Sequence, residues 1–393
     1  MNTLFHIAGF LLVAVTLPLV LELLLVTVAS LLPKSTRRRR NAESVNCLAV
    51  IVPAHNEELS IGKCVASLRA SAPPCAAIYV VAHNCSDTTA EQARAAGAEV
   101  LVYDDPTALG KGHVLRYGFA HAIAQGADAV LVVDADSTVS LNLIPDVVDA
   151  FSKGAEVVQC RYEMCGTPDR VKTELISLAL RGFNFIRPLG RARLGLSSGI
   201  LGNGFAIAAP VLQEIPYDAL SVVEDLEYHL HLVAGGRCVL FLPDAVVSSE
   251  LPESNAGETV QHSRWEGGRL RVARTWLFQL LKKVVGGQWT ALEPMLDLAG
   301  LPISFGVIAL LLACCLPVQW VRIYAVTSIA IILMHVLAAV FAGPRWIRTL
   351  RLLVMVPFYL LWKLRLIPNV LRASSVKAAW VRTDRKTAVR SAS

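Results

Sequence analysis

Two aspartates two residues apart, Asp134 and Asp136, follow the apolar run Ala129–Val133. Carboxylates that close repel, and one would hold a proton unless a cation neutralised them. A hard divalent ion, Mg²⁺ or Mn²⁺, accepts such oxygen ligands and keeps positions open for phosphate oxygens. It can neutralise the charge that builds on a departing diphosphate. On an extended chain, side chains at i and i+2 project to one side, so both carboxylates would meet at the end of a strand. An Asp-x-Asp alone reads equally well as turn chemistry. The apolar strand before it, and the polar ends of other strands, favour a metal bound to a diphosphate.

Further along, Ser221-Val222-Val223-Glu224-Asp225 opens an expected helix that runs to Ala234. Ser221 and Glu224 have the spacing of a capping box. Asp225 is not needed for that cap. It can serve as a general base toward an acceptor hydroxyl, and a helix N-terminus favours its ionised form. Simple dipole compensation is the rival reading. Gln261, Arg264 and Trp265 stand at i, i+3 and i+4 of a helical stretch and so share a face. An amide, a forked cation and a broad ring suit a diphosphate beside a sugar. The rival places Arg264 and Trp265 in a membrane-interface belt with Arg269, Arg271, Arg274, Trp276 and Phe278.

These groups need elements to position them. Between Asn46 and about Gly257, short β-rich runs alternate with helical ones. Strands are expected at 47–53, 77–82, 99–103 and 129–133, and helices at 60–71, 88–96 and 111–125. That alternation implies an α/β fold with a parallel sheet covered on both faces. Such sheets bind ligands at the carboxyl ends of their strands. Polar clusters stand there: Pro53-Ala54-His55-Asn56-Glu57-Glu58, Ala82-His83-Asn84-Cys85-Ser86-Asp87 and Asp134-Ala135-Asp136.

The chain has 393 residues, of which 54% are hydrophobic and only 17% charged, so part of it is expected in lipid. Leu4–Leu32 is almost wholly apolar, with Glu22 as its only acid. Lys34 and Arg37–Arg40 follow it, and the positive-inside rule puts the remainder in the cytoplasm. Apolar stretches near 298–318 and 323–343 are expected to form a hairpin, followed by Arg345, Arg348 and Arg351. Residues 346–371 read as an interfacial helix. The expected organisation is an anchor at 1–33, a basic linker at 34–46 and a catalytic domain at 47–257. Interfacial helices follow at 258–297, then a membrane hairpin at 298–343 and an interfacial helix with a cytoplasmic tail at 344–393. The expected location is the bacterial inner membrane. The net charge of +6 fits attraction to anionic lipid headgroups. No basic and aromatic surface suggests nucleic acid. The nine cysteines show no metal spacing and fit a reducing compartment.

In order, VIVPAHNEE (50–58), VVAHNCSDTT (80–89), VVDADS (132–137), VVEDLEYHL (222–230) and QHSRW (261–265) resemble glycosyltransferase family 2. The pattern is similar to its membrane-embedded branch, with the cellulose, chitin, hyaluronan and poly-N-acetylglucosamine synthases and, more distantly, the ceramide glucosyltransferases. The resemblance covers about 49–273. It implies a GT-A (Rossmann-like) glycosyltransferase core, an inverting mechanism and a nucleotide-sugar donor, usually a UDP-sugar. By position, Pro53, His55 and Glu57 would line the nucleotide pocket. Asp134 and Asp136 would hold metal and diphosphate, and Asp225 would be the base. Gln261, Arg264 and Trp265 would close over diphosphate and acceptor. Lys111 matches a lysine-bearing loop near the donor, and Gly202-Asn203-Gly204 resembles the loop lining the acceptor site with Glu224. The C-terminal Trp380-Val381-Arg382-Thr383 also resembles tails of this group. The family usually places an aspartate near the end of the second strand to read uracil. Ala82 and His83 stand there instead, with Asn84 and Asp87 nearby, and a neutral His83 can donate or accept a hydrogen bond.

The expected acceptor is a lipid-linked or short saccharide, because polymer synthases tend to have more spans than the one before the core and two after it. A processive polysaccharide synthase is the alternative, served by a channel if oligomers form one. A catalytically inactive membrane partner with the same fold is the rival from another class. Asp134, Asp136, Asp225 and Arg264 weigh against it.

Overall fold

The run LAVIVPA forms a strand because nearly every residue in it is buried on one face of a sheet or the other. The computed structural model describes residues 2–33, 45–166, 170–251 and 255–373. The basic run Lys34, Arg37–Arg40 and the Trp380–Thr383 tail lie outside the described residues. The strands are β1 Leu48–Ala54, β2 Ala76–His83, β3 Glu99–Tyr103, β4 Ala129–Val132, β5 Ser137–Val139, β6 Val157–Cys165, β7 Phe205–Ala208 and β8 Val239–Glu250. They form one sheet in the order β3-β2-β1-β4-β7-β6-β8-β5. The β3-β2-β1-β4 half is parallel, as the alternation implied. The other half is not: β7 runs antiparallel to both β4 and β6, and β5 runs antiparallel to β8. The sheet is therefore mixed. Only the first four strands are linked by the helix-alternating pattern from which parallel pairing can be read.

Side chains alternate across β1. Leu48, Val50 and Val52 pack against Ile61, Val65 and Leu68 of α2 (Ile61–Ser71) and against Leu143 and Val147 of α5 (Leu143–Ser152). Ala49 and Ile51 face Val114, Leu115 and Phe119 of α4 (Lys111–Ala124). The short α3 (Thr89–Ala95) joins β2 to β3. Helices α6 (Val171–Arg181) and α7 (Arg187–Arg193) are joined by a π-helical turn at Gly182–Ile186 and lie between β6 and the loop before β7. Helices α8 (Ala209–Glu214) and α9 (Glu224–Ala234) precede β8.

Outside the sheet, α1 (Asn2–Ser30) and α13 (Gln319–Phe341) are each long and apolar enough to cross a bilayer. The long α10 (Asn255–Val285) leads through α11 (Leu292–Ala299) to α12 (Ile303–Cys315). The expected span at 298–318 is broken. Gly300-Leu301-Pro302 interrupts it, and the chain bends by 73° there. Thirteen helical residues reach only about 20 Å, short of a hydrocarbon core of about 30 Å. The hairpin still has its two arms. Gly300 and Gly306 of the first arm meet Leu19 of α1, whereas α13 starts beside Gly9 and Phe10. The expected linker, Gln319–Arg322, is instead the first turn of α13. The chain closes with α14 (Trp346–Leu352) and α15 (Val356–Ala373), which packs on α10 and pairs Lys363 with Glu266 at 2.5 Å.

Glu22 of α1 is fully buried and has partners. It pairs with Arg187, and lies 3.5 Å from Arg191. Arg191 also binds Glu293 at 2.5 Å and Asp297 at 3.3 Å, and Arg269 of α10 binds Asp297 at 2.9 Å. Three cations and three anions thus join α1, α7, α10 and α11. At Gly190 the backbones of α7 and α1 nearly touch. A Cβ there would lie 2.0 Å from the Val26 carbonyl oxygen.

Candidate active site

β4 ends at Val132, and the chain then turns, with the Ser137 amide donating to the Asp134 carbonyl at 3.0 Å. The two aspartates therefore flank a turn and do not alternate along an extended strand, which corrects the i, i+2 argument. They still act on one place, because the Cys64 thiol and the Tyr162 phenol both feel the two carboxylates. The Lys111 ammonium, from the first turn of α4, forms an ion pair with Asp134 and donates to the Gly202 carbonyl at 2.5 Å. Burial opposes that charge, but the carboxylates of Asp134, Glu224 and Asp225 outweigh burial and raise the ammonium above its ordinary value.

Gly202 sits at the centre of the group. Its φ is +76°, and a Cβ there would come within 2.9 Å of Asp225 Oδ2. Glycine alone combines that backbone with that close approach. Asn203, from the loop expected to line an acceptor site, braces the aspartate turn. Its Oδ1 accepts the Asp134 amide at 3.1 Å, and its Nδ2 donates to Ser137 Oγ at 2.9 Å. Ser137 Oγ in turn lies 2.7 Å from Ser249 Oγ and donates to Asp136 Oδ1 at 3.2 Å. Gln159 holds the loop by donating to the Asn203 carbonyl and accepting from the Leu201 amide. Gly204, with φ +69°, places its amide 2.9 Å from the Val132 carbonyl. Ser137, Gln159, Tyr162 and Ser249 escaped sequence reasoning. The last three stand on the parallel neighbours β6 and β8, and the antiparallel pairing of β5 with β8 sets Ser249 opposite Ser137 beside Asp136.

The expected capping box does not form. α9 begins at Glu224, its N-cap residue is Val223 without a side-chain cap bond, and Ser221 Oγ is buried without a partner. Glu224 is thus the first helical residue, and its carboxylate is free of the predicted cap. Burial pushes it up to about 7, with the Asp225 charge adding to the effect and Lys111 opposing it. Burial also raises Asp225, while the Leu226 amide, 2.8 Å from its Oδ1, and Lys111 hold it down.

The ends of β1 and β2 form a second group. Pro53 lies opposite Val81 in the parallel register, and His55 Nδ1 is 2.8 Å from the His83 carbonyl. Glu57 accepts from Ser60 Oγ at 2.9 Å while its amide donates to Thr89 Oγ1. Asp87 accepts from Thr89 and from the Glu58 amide, and these bonds outweigh burial and lower its carboxyl. Those contacts fasten α3 to the β1 turn. His83 is buried and stacked on Tyr103, which stacks on Tyr117 with centroids 4.5 Å apart. Burial and the neighbouring His55 lower its pKa, so the ring is neutral. Tyr103 and Tyr117 carried no sequence signal beyond aromaticity.

Gln261, Arg264 and Trp265 all lie on α10, so the shared helix is real. The side chains of Gln261 and Arg264 lie outside the described residues. Trp265 packs against the Met164, Ile176 and Leu251 cluster, which Tyr162 also joins. Among the described residues, no three His, Cys, Asp or Glu side chains gather as a metal cage. Two carboxylates at a partly open turn fit a Mg²⁺ or Mn²⁺ ion that shares its shell with phosphate oxygens and water.

Residues 46–268 match the family described as "Glycosyltransferase like family 2". Protein RfbJ of Shigella flexneri is 36% identical over 118 residues, which cover 30% of this chain and 86% of that protein. Probable glycosyltransferase YdaM of Bacillus subtilis (strain 168) is 25% identical over 255 residues, covering 62% of this chain and 60% of YdaM, less than two thirds of its length. Among solved structures, mannosyltransferase PcManGT from Pyrobaculum calidifontis, in complex with GDP-Man and Mn²⁺, matches at 16% identity with a TM-score of 0.52. The match covers 85% of this chain and 97% of that one. At that identity the likeness concerns the fold, a GT-A α/β core.

Proposed function

Because the chain belongs to the glycosyltransferase-like family 2 and is a glycosyltransferase with a GT-A core, we propose that it moves a sugar from a nucleotide-sugar to a membrane-associated acceptor with inversion at the anomeric carbon. The observation that carries this reading is the convergence of Asp134, Lys111, Gly202 and Asp225 at one sheet end. Asp134 and Asp136 hold Mg²⁺ or Mn²⁺, which when bound neutralises charge on the leaving diphosphate. Lys111 adds a cation on the same side. Pro53, His55 and Glu57 border the nucleotide, with His83, Tyr103 and Tyr117 beyond them. The Asp225 carboxylate takes the proton of the acceptor hydroxyl, whose oxygen bonds to the anomeric carbon as the bond to diphosphate breaks. Gln261, Arg264 and Trp265 on α10 close over diphosphate and acceptor.

The YdaM name supports sugar transfer, and the GDP-Man complex of PcManGT supports a nucleotide-sugar donor. The two span-length helices support a membrane location, and the basic run Lys34, Arg37–Arg40 after the first apolar stretch favours a core on the cytoplasmic side. A lipid-linked or short acceptor suits so few spans better than a growing polymer. The test is donor-dependent turnover with Mn²⁺ for Asp134→Ala and Asp136→Ala. Both are expected to lose turnover by at least about a hundred-fold, and wild-type rates in either would refute the metal and diphosphate role.

A further inference from the structure

A cleft of about 320 Å³ opens beside the core end of α13, away from Lys111 and Asp225. Its walls include Arg161, Tyr162 and Glu163 of β6, Arg181 of α6, and Pro344 and Arg345 just beyond α13. Three guanidinium groups thus face one space. Two carboxylates also line it: Glu163 pairs with Arg161, and Glu174 pairs with Arg348, which is outside the lining, at 2.8 Å. Positive charge therefore exceeds negative charge in the cleft. Arg161 stacks over the Phe185 ring at 4.1 Å, and its Nε is buried with no hydrogen-bond partner. Arg181 reaches the Ala339 carbonyl at 3.2 Å through a gap that exists only because residue 343 is glycine. A Cβ there would lie 2.2 Å from the guanidinium. Burial and Arg161 depress the Arg181 cation, and Glu163 partly restores it.

Two further features fix the kind of anion. Next to the lining residues Arg345 and Thr349, Trp346, Ile347 and Leu350 of α14 are exposed, so a ligand extending out of the cleft meets apolar surface as well as cations. At the back, Tyr162 leads to Ser249 and Asn203, which brace the Asp134–Asp136 turn. We infer that the cleft seats the phosphoryl group of a membrane lipid that is the sugar acceptor. The lipid chains lie along α14, and the hydroxyl end passes Tyr162 toward the Asp134–Asp136 turn and the Asp225 base beyond it. The acceptor role rests on the transferase reading above, whereas the binding of a phosphoryl lipid does not. Guanidinium groups bind phosphoryl oxygens in a bidentate fashion, and α14 follows directly on the end of the span-length α13.

The test uses the full chain in detergent with fluorescent phosphatidic acid as probe. Fluorescent diacylglycerol, which lacks the phosphoryl group, is the comparison, and inorganic phosphate is the competitor. Phosphatidic acid is expected to bind at least about ten-fold more tightly than diacylglycerol, with inorganic phosphate competing only at far higher concentration. Arg345→Glu, at an exposed position where folding is not at stake, and Arg161→Gln should each weaken binding by roughly ten-fold. Equal binding of the two lipids, or unchanged binding by both variants, overturns the inference. Inorganic phosphate competing at the lipid's own concentration also overturns it, since the site would then take a free anion. Thermal shift of the same wild-type sample with UDP-sugar and Mn²⁺ judges the transferase reading separately. No donor response with intact lipid binding would sink that reading alone, and a donor response without phosphoryl preference would sink the cleft alone.

Discussion

Gly202 shows how tightly single positions are set in the site. Its backbone is left-handed and Asp225 Oδ2 occupies the space of a Cβ, so Gly202→Ala should displace the loop from both Lys111 and Asp225. Turnover of that variant is expected to fall at least about ten-fold with unfolding temperature little changed, and a wild-type rate would show the contact is idle. Asp225→Asn should keep the donor-induced thermal shift but slow transfer by about a hundred- to ten-thousand-fold. A base must be ionised, so transfer should rise with pH through the titration of the Glu224–Asp225 pair. Burial pushes Glu224 up to about 7, and the rising limb is expected near there. Glu224→Gln removes a neighbouring negative charge and should move the limb to lower pH. Stability runs the other way. Glu224 holds its proton more tightly folded than unfolded, so its contribution is whole below the ordinary 4.5 and is lost as pH climbs to about 7. Asp134, Asp136 and Asp225 stood out by type and position, whereas Lys111 and Gly202 stood out only through the family resemblance. Tyr162 and Ser249 were not, because long-range β pairing alone brings them there. Asp87 was legible as polar but not as a local fastener, since a carboxylate beside two threonines reads the same in either role.

At the scale of elements, the first four strands and their helices could be placed within a residue or so, because buried runs and helical spacing are local signals. The second half of the sheet, with β7 and β5 antiparallel to their neighbours and β6 parallel to β8, was not anticipated, and the Ser221 capping box was misread. There the burial of Val223 in the cluster with Leu230 and Trp276 decides where α9 starts, against local cap preference. The acid in α1 was visible, but its partners were not: Arg187 and Arg191 lie more than 160 positions away. Glu22→Ala leaves two buried guanidinium groups short of an anion. It is expected to destabilise the protein by about 3–5 kcal/mol, read as a lower unfolding temperature in detergent. Glu22→Gln should fall between, since its amide oxygen still accepts a hydrogen bond. An unchanged unfolding temperature for Glu22→Ala would show the network is neutral.

Taken as a whole, the molecule has no clean division between membrane part and catalytic part. The segment that begins with Ser198, whose carbonyl accepts from Arg191, continues into Gly202 and Asn203. The guanidinium that meets Glu22 and Asp297 therefore also steadies the loop beside Asp225. Chelation with EDTA should stop transfer reversibly while leaving this scaffold folded. Restoration by Mn²⁺ would confirm it, and activity that survives EDTA would contradict the metal role. The Gly190–Val26 seam and the Glu22 ion cluster also bear on how the anchor can be re-engineered. A chimera carrying a foreign hydrophobic helix of equal length would insert into the bilayer normally. It would nevertheless lack the acid by which α1 answers Arg187 and Arg191, and any side chain crowding Gly190 would pry the two backbones apart. Correct insertion without enzymatic competence is the expected phenotype of such a graft, so for this protein the leading helix has to be inherited along with its catalytic core.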